Sequence, residues 1–276
     1  MKRFNLKIIL LLLVILIFGF TTKAQQFKPN TEIGILLGAS YYLGDLNTTH
    51  FNQSLATAGL VIRRNIDQRF VYKAEAMYIN LKSDERGSKD TIANNRSLHF
   101  RSPVYEVSGQ LEFNFLPYEK GNSLYPWTPF VFTGVSIFNY NPKAEASDGI
   151  WYELQPLGTE GQETTLRSYL KKYSLTQLCL PFGGGIKVSI NKDFNVILEH
   201  GLRKTFTDYL DDVSTTYAGI PAEFDNITIE LADRSLDGPK QAGEARGNSR
   251  NNDWYSFTTI TISFTINQNK KGCDYD

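Results

Sequence analysis

The chain has 276 residues, of which 29 are basic, 29 acidic, 13% aromatic and two cysteine, with no formal net charge. Four of the basic residues precede position 25, so the remainder sets 25 basic against 29 acidic residues, a charge of −4. That balance argues against a nucleic-acid partner, the aromatic content against disorder, and the two cysteines against a disulfide scaffold.

At the start of the chain, Lys2, Arg3 and Lys7 lead into an apolar run from Ile8 to Phe20, and Thr22-Lys23-Ala24 puts a small residue before Gln25. This is the layout of an export signal over 1–24, and the run is shorter than the roughly 20 residues of a spanning helix. No cysteine follows the expected cut, so a lipid anchor by that route is not expected. The later apolar runs are short and broken by charge or glycine. If the protein crosses a membrane, it does so with strands.

Eight later segments alternate with period two, the signature of a β-strand with one apolar face. Thr31 to Tyr42 sets Ile33, Ile35, Leu37, Ala39 and Tyr41 against Gly34, Gly38 and Ser40. Ala56 to Ile66 sets Ala58, Leu60 and Ile62 against Thr57, Gly59 and Arg63, and Phe70 to Leu81 sets Phe70, Tyr72, Ala74, Ala76 and Tyr78 against Lys73 and Glu75. Val104 to Phe115 alternates without error, with Tyr105, Val107, Leu111, Phe113 and Phe115 opposite Glu106, Ser108, Gln110, Glu112 and Asn114. Trp127 to Tyr140 is apolar on nearly both faces, so its outer side cannot be read. In the sixth segment Leu178, Leu180, Phe182, Ile186, Val188 and Ile190 oppose Gln177, Lys187 and Ser189. Phe194 to Lys204 sets Val196, Leu198 and Leu202 against Asn195, Glu199 and Arg203. Trp254 to Asn267 ends with Ile260, Ile262, Phe264 and Ile266 against Thr259, Thr261, Ser263 and Thr265.

The connections sort by length. Asp67 to Arg69, Asn191 to Asp193 and Leu116 to Pro126 are short, whereas Leu43 to Leu55, Lys82 to Ser97, Asn141 to Ser174 and Thr205 to Asp253 are long. Alternate strands therefore end on short turns at one rim and long loops at the other. The expected fold is all-β: an eight-stranded antiparallel transmembrane up-and-down β-barrel over 25–267, with long external loops, short periplasmic turns and a polar tail over 268–276. A soluble lipocalin-like barrel would turn the same apolar face inward around a ligand. The sorted loops and the aromatic residues near strand ends, Trp127, Trp254, Tyr41, Tyr255 and Phe70, favour the membrane and outer-membrane lipid around the wall.

An eight-stranded barrel is just narrow enough for side chains to fill, so Lys73, Glu75, Glu106, Glu112, Lys187, Glu199 and Arg203 should pair inside it and leave no wide channel. Gly183-Gly184-Gly185 lacks the Lys-Ser or Lys-Thr of a phosphate cradle and fits a bend in a curved strand. Cys179 and Cys273 are expected at opposite ends and unpaired.

The loop after the seventh strand gathers Asp208, Asp211 and Asp212 shortly after His200. Three carboxylates could hold a hard cation such as Ca²⁺, although the spacing is not that of an EF-hand; His200 with Asp208 or Asp212 could activate water; or the group could bond nearby backbone N–H donors as a loop-base network. The last is the expectation, with no catalytic residue and no cofactor. The three histidines are scattered, and no Gly-x-Ser-x-Gly elbow is present.

Tyr41-Tyr42-Leu43-Gly44-Asp45-Leu46-Asn47, Leu111 to Phe115, Leu180 to Lys187, Arg203 to Ser214, Arg246-Gly247-Asn248 and Asn252 to Tyr255 resemble the PorG-type outer-membrane barrels of Bacteroidetes. The resemblance implies an outer-membrane location and a non-enzymatic part in the type IX protein secretion machinery, next to a periplasmic ring of lipoprotein and partner subunits. It implies no catalytic residues. A surface-binding role would instead use the last long loop, with Asp233 to Ser249 as the segment to trim.

Overall fold

In the computed structural model residues 27–266 are described. The export signal, the tail over 268–276 and Cys273 lie outside the described residues. Eight long strands form the wall: β1 (Asn30–Leu43), β2 (Leu55–Asn65), β3 (Phe70–Asp84), β4 (His99–Asn114), β5 (Trp127–Tyr140), β8 (Thr176–Ser189), β9 (Phe194–Thr205) and β10 (Trp254–Ile266). A small hairpin, β6 (Lys143–Glu145) with β7 (Trp151–Glu153), rises from β5 and touches the wall where Lys143 pairs with Arg101 of β4. Every pairing is antiparallel, in the order β3-β2-β1-β10-β9-β8-β5-β4, and β3 pairs with β4 to close the sheet on itself. Closure leaves no edge strand, the condition under which a sheet can sit in hydrocarbon without unpaired backbone groups.

The two tightest turns use one device. Asp67 Oδ1 accepts the N–H groups of Arg69 (2.6 Å) and Phe70 (2.7 Å), and Asn191 Oδ1 accepts those of Asp193 (2.8 Å) and Phe194 (2.9 Å). A short side-chain acceptor at the first turn position thus replaces the missing ladder partners. These turns, the 115–126 connection and both ends of the described chain share one rim. The opposite rim carries the connections 44–54, 85–98, 141–175 and 206–253, with helices α1 (Thr91–Arg96), α2 (Leu154–Leu157) and α3 (Asn226–Ala232) among them.

The apolar rows face out. Ile35, Leu37, Leu60, Tyr105, Val107, Leu198 and Ile260 are exposed, while Lys73, Glu75, Glu112, Glu199 and Arg203 are buried. A water-soluble ligand-holding barrel would invert this distribution. β5 resolves the same way: Trp127, Val131, Val135 and Ile137 are exposed, and Phe130, Phe132 and Phe138 fill the interior.

Three sequence expectations change. β3 and β4 extend past Leu81 and begin before Val104, pairing as far as Asp84 with His99, so their hairpin stands taller than expected. Arg101 and Pro103 break the apolar row there, and the Arg101 guanidinium instead lies 3.6 Å from the Trp151 ring centre. The aromatic rim also differs. Trp127 and Phe70 are exposed near the turn rim, but Tyr255 is fully buried, because Trp254 already faces out and adjacent strand residues face opposite ways. Tyr41 does face the outer wall yet is covered by His50 and Phe51, whose rings lie 5.8 and 5.1 Å away.

Gly183 and Gly185 mark no bend. They pair regularly with Gly201 and Glu199 and face inward, where a Cβ would come within 2.2 Å of His200 O and 2.1 Å of Leu198 O, and within 2.8 and 2.9 Å of the Phe132 and Phe130 rings. Both glycines make room for the aromatic residues of β5. Gly185→Val should therefore lower the unfolding free energy of the lipid-refolded protein by about 3 kcal/mol. Gly109→Ala, whose Cβ would meet nothing within 4 Å, should leave the urea midpoint unchanged; similar losses in both variants would contradict this assignment.

Candidate functional site

The interior is built in layers. Nearest the turns, Glu32 accepts bonds from Asn65 (2.8 Å), Asn195 (3.0 Å) and Ser263 (2.7 Å), and Lys120 reaches in from the 115–126 turn to 3.5 Å. In the middle, Lys73 Nζ lies 2.8 Å from Glu199 and 3.1 Å from Glu75. Arg63 lies 3.4 Å from Glu199 and 3.5 Å from Glu112, and Lys187 pairs with Glu112. Arg203 Nε donates to Glu106 at 2.8 Å and its Nη2 lies 3.5 Å from Glu75, while Tyr255 Oη donates to the second Glu106 oxygen at 2.8 Å.

Five carboxylates (Glu32, Glu75, Glu106, Glu112, Glu199) thus meet five cations (Arg63, Lys73, Lys120, Lys187, Arg203). The seven residues expected to pair inside all do so, and Glu32, Arg63 and Lys120 complete the set. Arg63 stands in the polar row of the second segment, Glu32 is not singled out in the first, and nothing in the sequence marks Lys120, which sits in a turn. Inward phenylalanines are part of the same arrangement: Lys73 Nζ lies 3.8 Å from the ring centre of Phe132 and Lys187 Nζ 4.8 Å from that of Phe130, both on β5, and Arg203 Cζ lies 4.3 Å from that of Phe257 on β10. Each aromatic face supplies electron density where a cation would otherwise face a dry wall.

Toward the loops the filling turns apolar, with Leu36, Val61, Met77, Ile79, Leu81, Phe138, Tyr140 and Phe257 continuous with Leu154, Leu210, Val213 and Leu231 from the loops. Above them two arginines join all four long connections. Arg246 donates to Asp212 O (2.5 Å) and Ala232 O (3.1 Å) and meets Glu160 at 3.3 Å. Glu160 in turn accepts the N–H groups of Ser214 (2.8 Å) and Thr215 (3.0 Å). Arg96 donates to Arg246 O (2.7 Å) and Asp45 O (2.8 Å) and pairs with Glu85. The segment Asp233 to Ser249 is therefore not a detachable binding loop, because Arg246 within it anchors the cap.

The acidic residues singled out from the sequence lie in this cap. Tyr42 Oη lies 2.5 Å from Asp211 Oδ2 and 2.8 Å from Asp253 Oδ1. One phenolic proton cannot serve both in full, so the geometry favours a second proton on one carboxyl of the pair. Burial pushes both Asp211 and Asp253 well above the usual carboxylate range, in accord with that shared proton. Asp212 bonds Thr159 and accepts from Tyr173 Oη at 2.7 Å, and burial raises it to about 6 despite nearby Arg246. Asp208 is buried with neither oxygen in good hydrogen-bond geometry. Burial, then the Asp45 and Glu160 carboxylates, push it up to about 7 against a pull from Ser214.

Asp211 and Asp212 turn to different partners and Asp208 has none in good geometry, and among the described residues no group of three histidine, cysteine or acidic side chains is placed to hold a metal ion. The hydrolytic pairing is not assembled either. His200 faces the outer wall and bonds Thr258 Oγ1 at 2.9 Å, whereas Asp208 and Asp212 are buried in the cap. Of the expected bonds to backbone N–H groups the geometry displays one, from Val213 to Asp211 at 2.9 Å; Asp212 takes the Thr159 and Tyr173 hydroxyls instead. Cys179 is buried beside Tyr255 Oη, at 3.5 Å.

A closed eight-stranded antiparallel barrel with an apolar wall, a neutralised polar interior and one elaborated rim has the fold of an outer-membrane β-barrel. The chain belongs to the family described as a domain of unknown function, DUF6089, which matches residues 7–152. No curated protein matches it in sequence. Among solved structures it is similar to the N-terminal β-barrel domain of Pseudomonas aeruginosa OprF (9% identity, covering 87% of this chain and 100% of that one, TM-score 0.38). It is also similar to Ail, the attachment invasion locus protein of Yersinia pestis, in complex with the heparin analogue sucrose octasulfate (7%, 87% and 100%, 0.42), and to Neisserial surface protein A (6%, 86% and 97%, 0.42). The fold assignment rests on the closed strand ladder itself.

Arg203→Met strands Glu106 in a dry interior and should cost about 3–5 kcal/mol of stability. Arg203→Met with Glu106→Gln should recover most of it, read as the urea midpoint of the folded barrel. The cap should respond to pH in a fixed direction. A carboxyl whose folded-state value lies above its unfolded value near 4 stabilises the fold while protonated and loses that advantage as it ionises. Cap stability should thus be highest near pH 4 and fall as pH rises through the values of Asp212 and Asp208, about 6 and about 7. Hydrogen exchange of the Leu210 and Val213 amides, corrected for intrinsic rates, should quicken over that range, and Asp208→Asn should flatten its upper part.

Proposed function

We propose that this protein is a non-enzymatic outer-membrane barrel that anchors a type IX protein-export assembly, exported by its N-terminal signal and held in outer-membrane lipid. The observation that carries this reading is the sealed interior. Arg63, Lys187, Glu112 and Arg203 are at most 1% exposed, which a water-filled path through the barrel would not allow. A barrel that passes nothing through its centre acts through its surfaces.

The short-turn rim is the periplasmic one in this reading, and it presents Asp67, Arg69, Lys192 and Asp193 to a ring of lipoprotein and partner subunits. The stretches from Tyr41 to Asn47 and from Arg203 to Ser214, which resemble PorG-type barrels, support the assignment. Both run into the cap, so the resembling residues include those that close the loop rim. Deleting the gene should abolish secretion of type IX cargo, with secretion restored by the wild-type chain. Unchanged secretion in the deletion strain, with the barrel inserted normally in the parent, would overturn the proposal.

A further inference from the structure

At the loop rim the outer wall carries a cleft of about 760 Å³ between the ends of β1, β9 and β10 and the connections above them. Leu202 and Trp254 line its wall side, and Lys204, His50 and Arg250 stand around it, all three exposed. Lys204 Nζ lies 5.8 Å from the Trp254 ring centre. The interior cations are each engaged by carboxylates, but Lys204 and Arg250 form no ion pair among the described residues. Asn248, Asn251 and Asn252 add amide groups on the same side. Asp45 is the one carboxylate of the cleft; one of its oxygens is turned to the Asn248 N–H at 2.8 Å.

The depth of the cleft narrows its occupant. Along the outer face of β9 run Phe194, Val196, Leu198, His200, Leu202 and then Lys204. Lys204 is the first permanently charged side chain of that row, and it pairs across the ladder with Trp254, an indole of the kind that marks the membrane interface, before the exposed Phe206. Beside it, Phe51 is held at φ 60°, a left-handed conformation that bulky residues rarely adopt. Its ring is 63% exposed yet lies against the wall, 5.1 Å from the Tyr41 ring and 5.7 Å from the His200 ring. The strained backbone turns a hydrophobic ring toward the level of acyl chains, directly below the basic cleft.

Unpaired cations, an amphipathic indole and clustered amides at headgroup depth are the chemistry of a phosphorylated sugar. We propose that this cleft binds the phosphosugar headgroup of an outer-leaflet glycolipid, with Lys204, Arg250 and His50 toward the phosphate, Trp254 against the sugar ring and Phe51 beside the acyl chains. The proposal rests on the outer-membrane placement given above.

The test titrates the full-length barrel in detergent micelles with bis-phosphorylated lipid A and with the same lipid stripped of its phosphates, reading bound lipid by native mass spectrometry. Phosphorylated lipid should be retained, and both dephosphorylation and Lys204→Gln with Arg250→Gln should weaken retention by about tenfold or more. Equal retention of the two lipids, or an unchanged double variant, would overturn the site. So would equal retention of phosphatidylglycerol, which carries the phosphate without the sugar. Insertion into liposomes, read by protease protection of the strands, tests the membrane placement separately; loss of phosphate preference in a barrel that inserts is a failure of the cleft alone.

Discussion

The structure depends on one constraint: an eight-stranded barrel has room inside for side chains and little else, so whatever alternation points inward must pack there and neutralise itself. Charges taken out of water are costly, and their mutual attraction offsets the cost only when each is paired and its remaining bonds are met. The ten charged groups from Glu32 to Arg203 are paired by sharing partners: Glu199 serves both Lys73 and Arg63, and Glu75 serves both Lys73 and Arg203, although Arg63 Nε and Nη1, Glu112 Oε2 and Arg203 Nη2 make no hydrogen bond in good geometry. Rings of Phe130, Phe132 and Phe257 cover cation faces that no carboxylate reaches. Gly183 and Gly185 then follow as necessities, since rings of that size inside the wall require neighbours without side chains.

The wall was legible in the sequence because a barrel strand writes its two environments into alternate residues. Glu106 to Asn114 declares its polar face five times in a row, and all five residues are buried. β5 was illegible for the same reason inverted: Phe130 and Phe132 face inward against Lys187 and Lys73, and Phe138 faces inward into the apolar filling toward the loops, so the contrast between its faces vanished. Strand ends failed where one residue decides which neighbour faces out, as with Trp254 and Tyr255. The cap was legible only as a gathering of aspartates after β9. Its organiser, Arg246, reaches Glu160 across 86 positions, and no local pattern announces a bond over that distance.

The interior and the cap solve different problems with similar chemistry. Inside, opposite charges meet in near-equal number, and the result is a rigid filler that fixes strand register. In the cap, carboxylates outnumber cations around Tyr42, Asp208, Asp211 and Asp253, so protons occupy places that guanidinium groups would otherwise take. In the first arrangement each acid faces a cation held by the wall or, for Glu32, by a turn. The second answers to acidity, and it sits on the rim that would meet the outside. A filled barrel with a responsive lid leaves its outer wall and its two rims as the surfaces available to partners, and the basic cleft by Trp254 lies where wall and loop rim meet.

The bond from Tyr42 to Asp253 has a bearing on how the molecule is made. Tyr42 belongs to the first strand and Asp253 immediately precedes the last, so their contact bridges the seam at which the sheet joins its own beginning. Arg246 likewise lies shortly before the last strand, and it fastens loops that belong to earlier ones. The cap in its observed form therefore requires the closed sheet, because its bonds join residues on both sides of the seam. Its completion reports that the first and last strands have met, so the order of the loop rim is a readout of barrel closure.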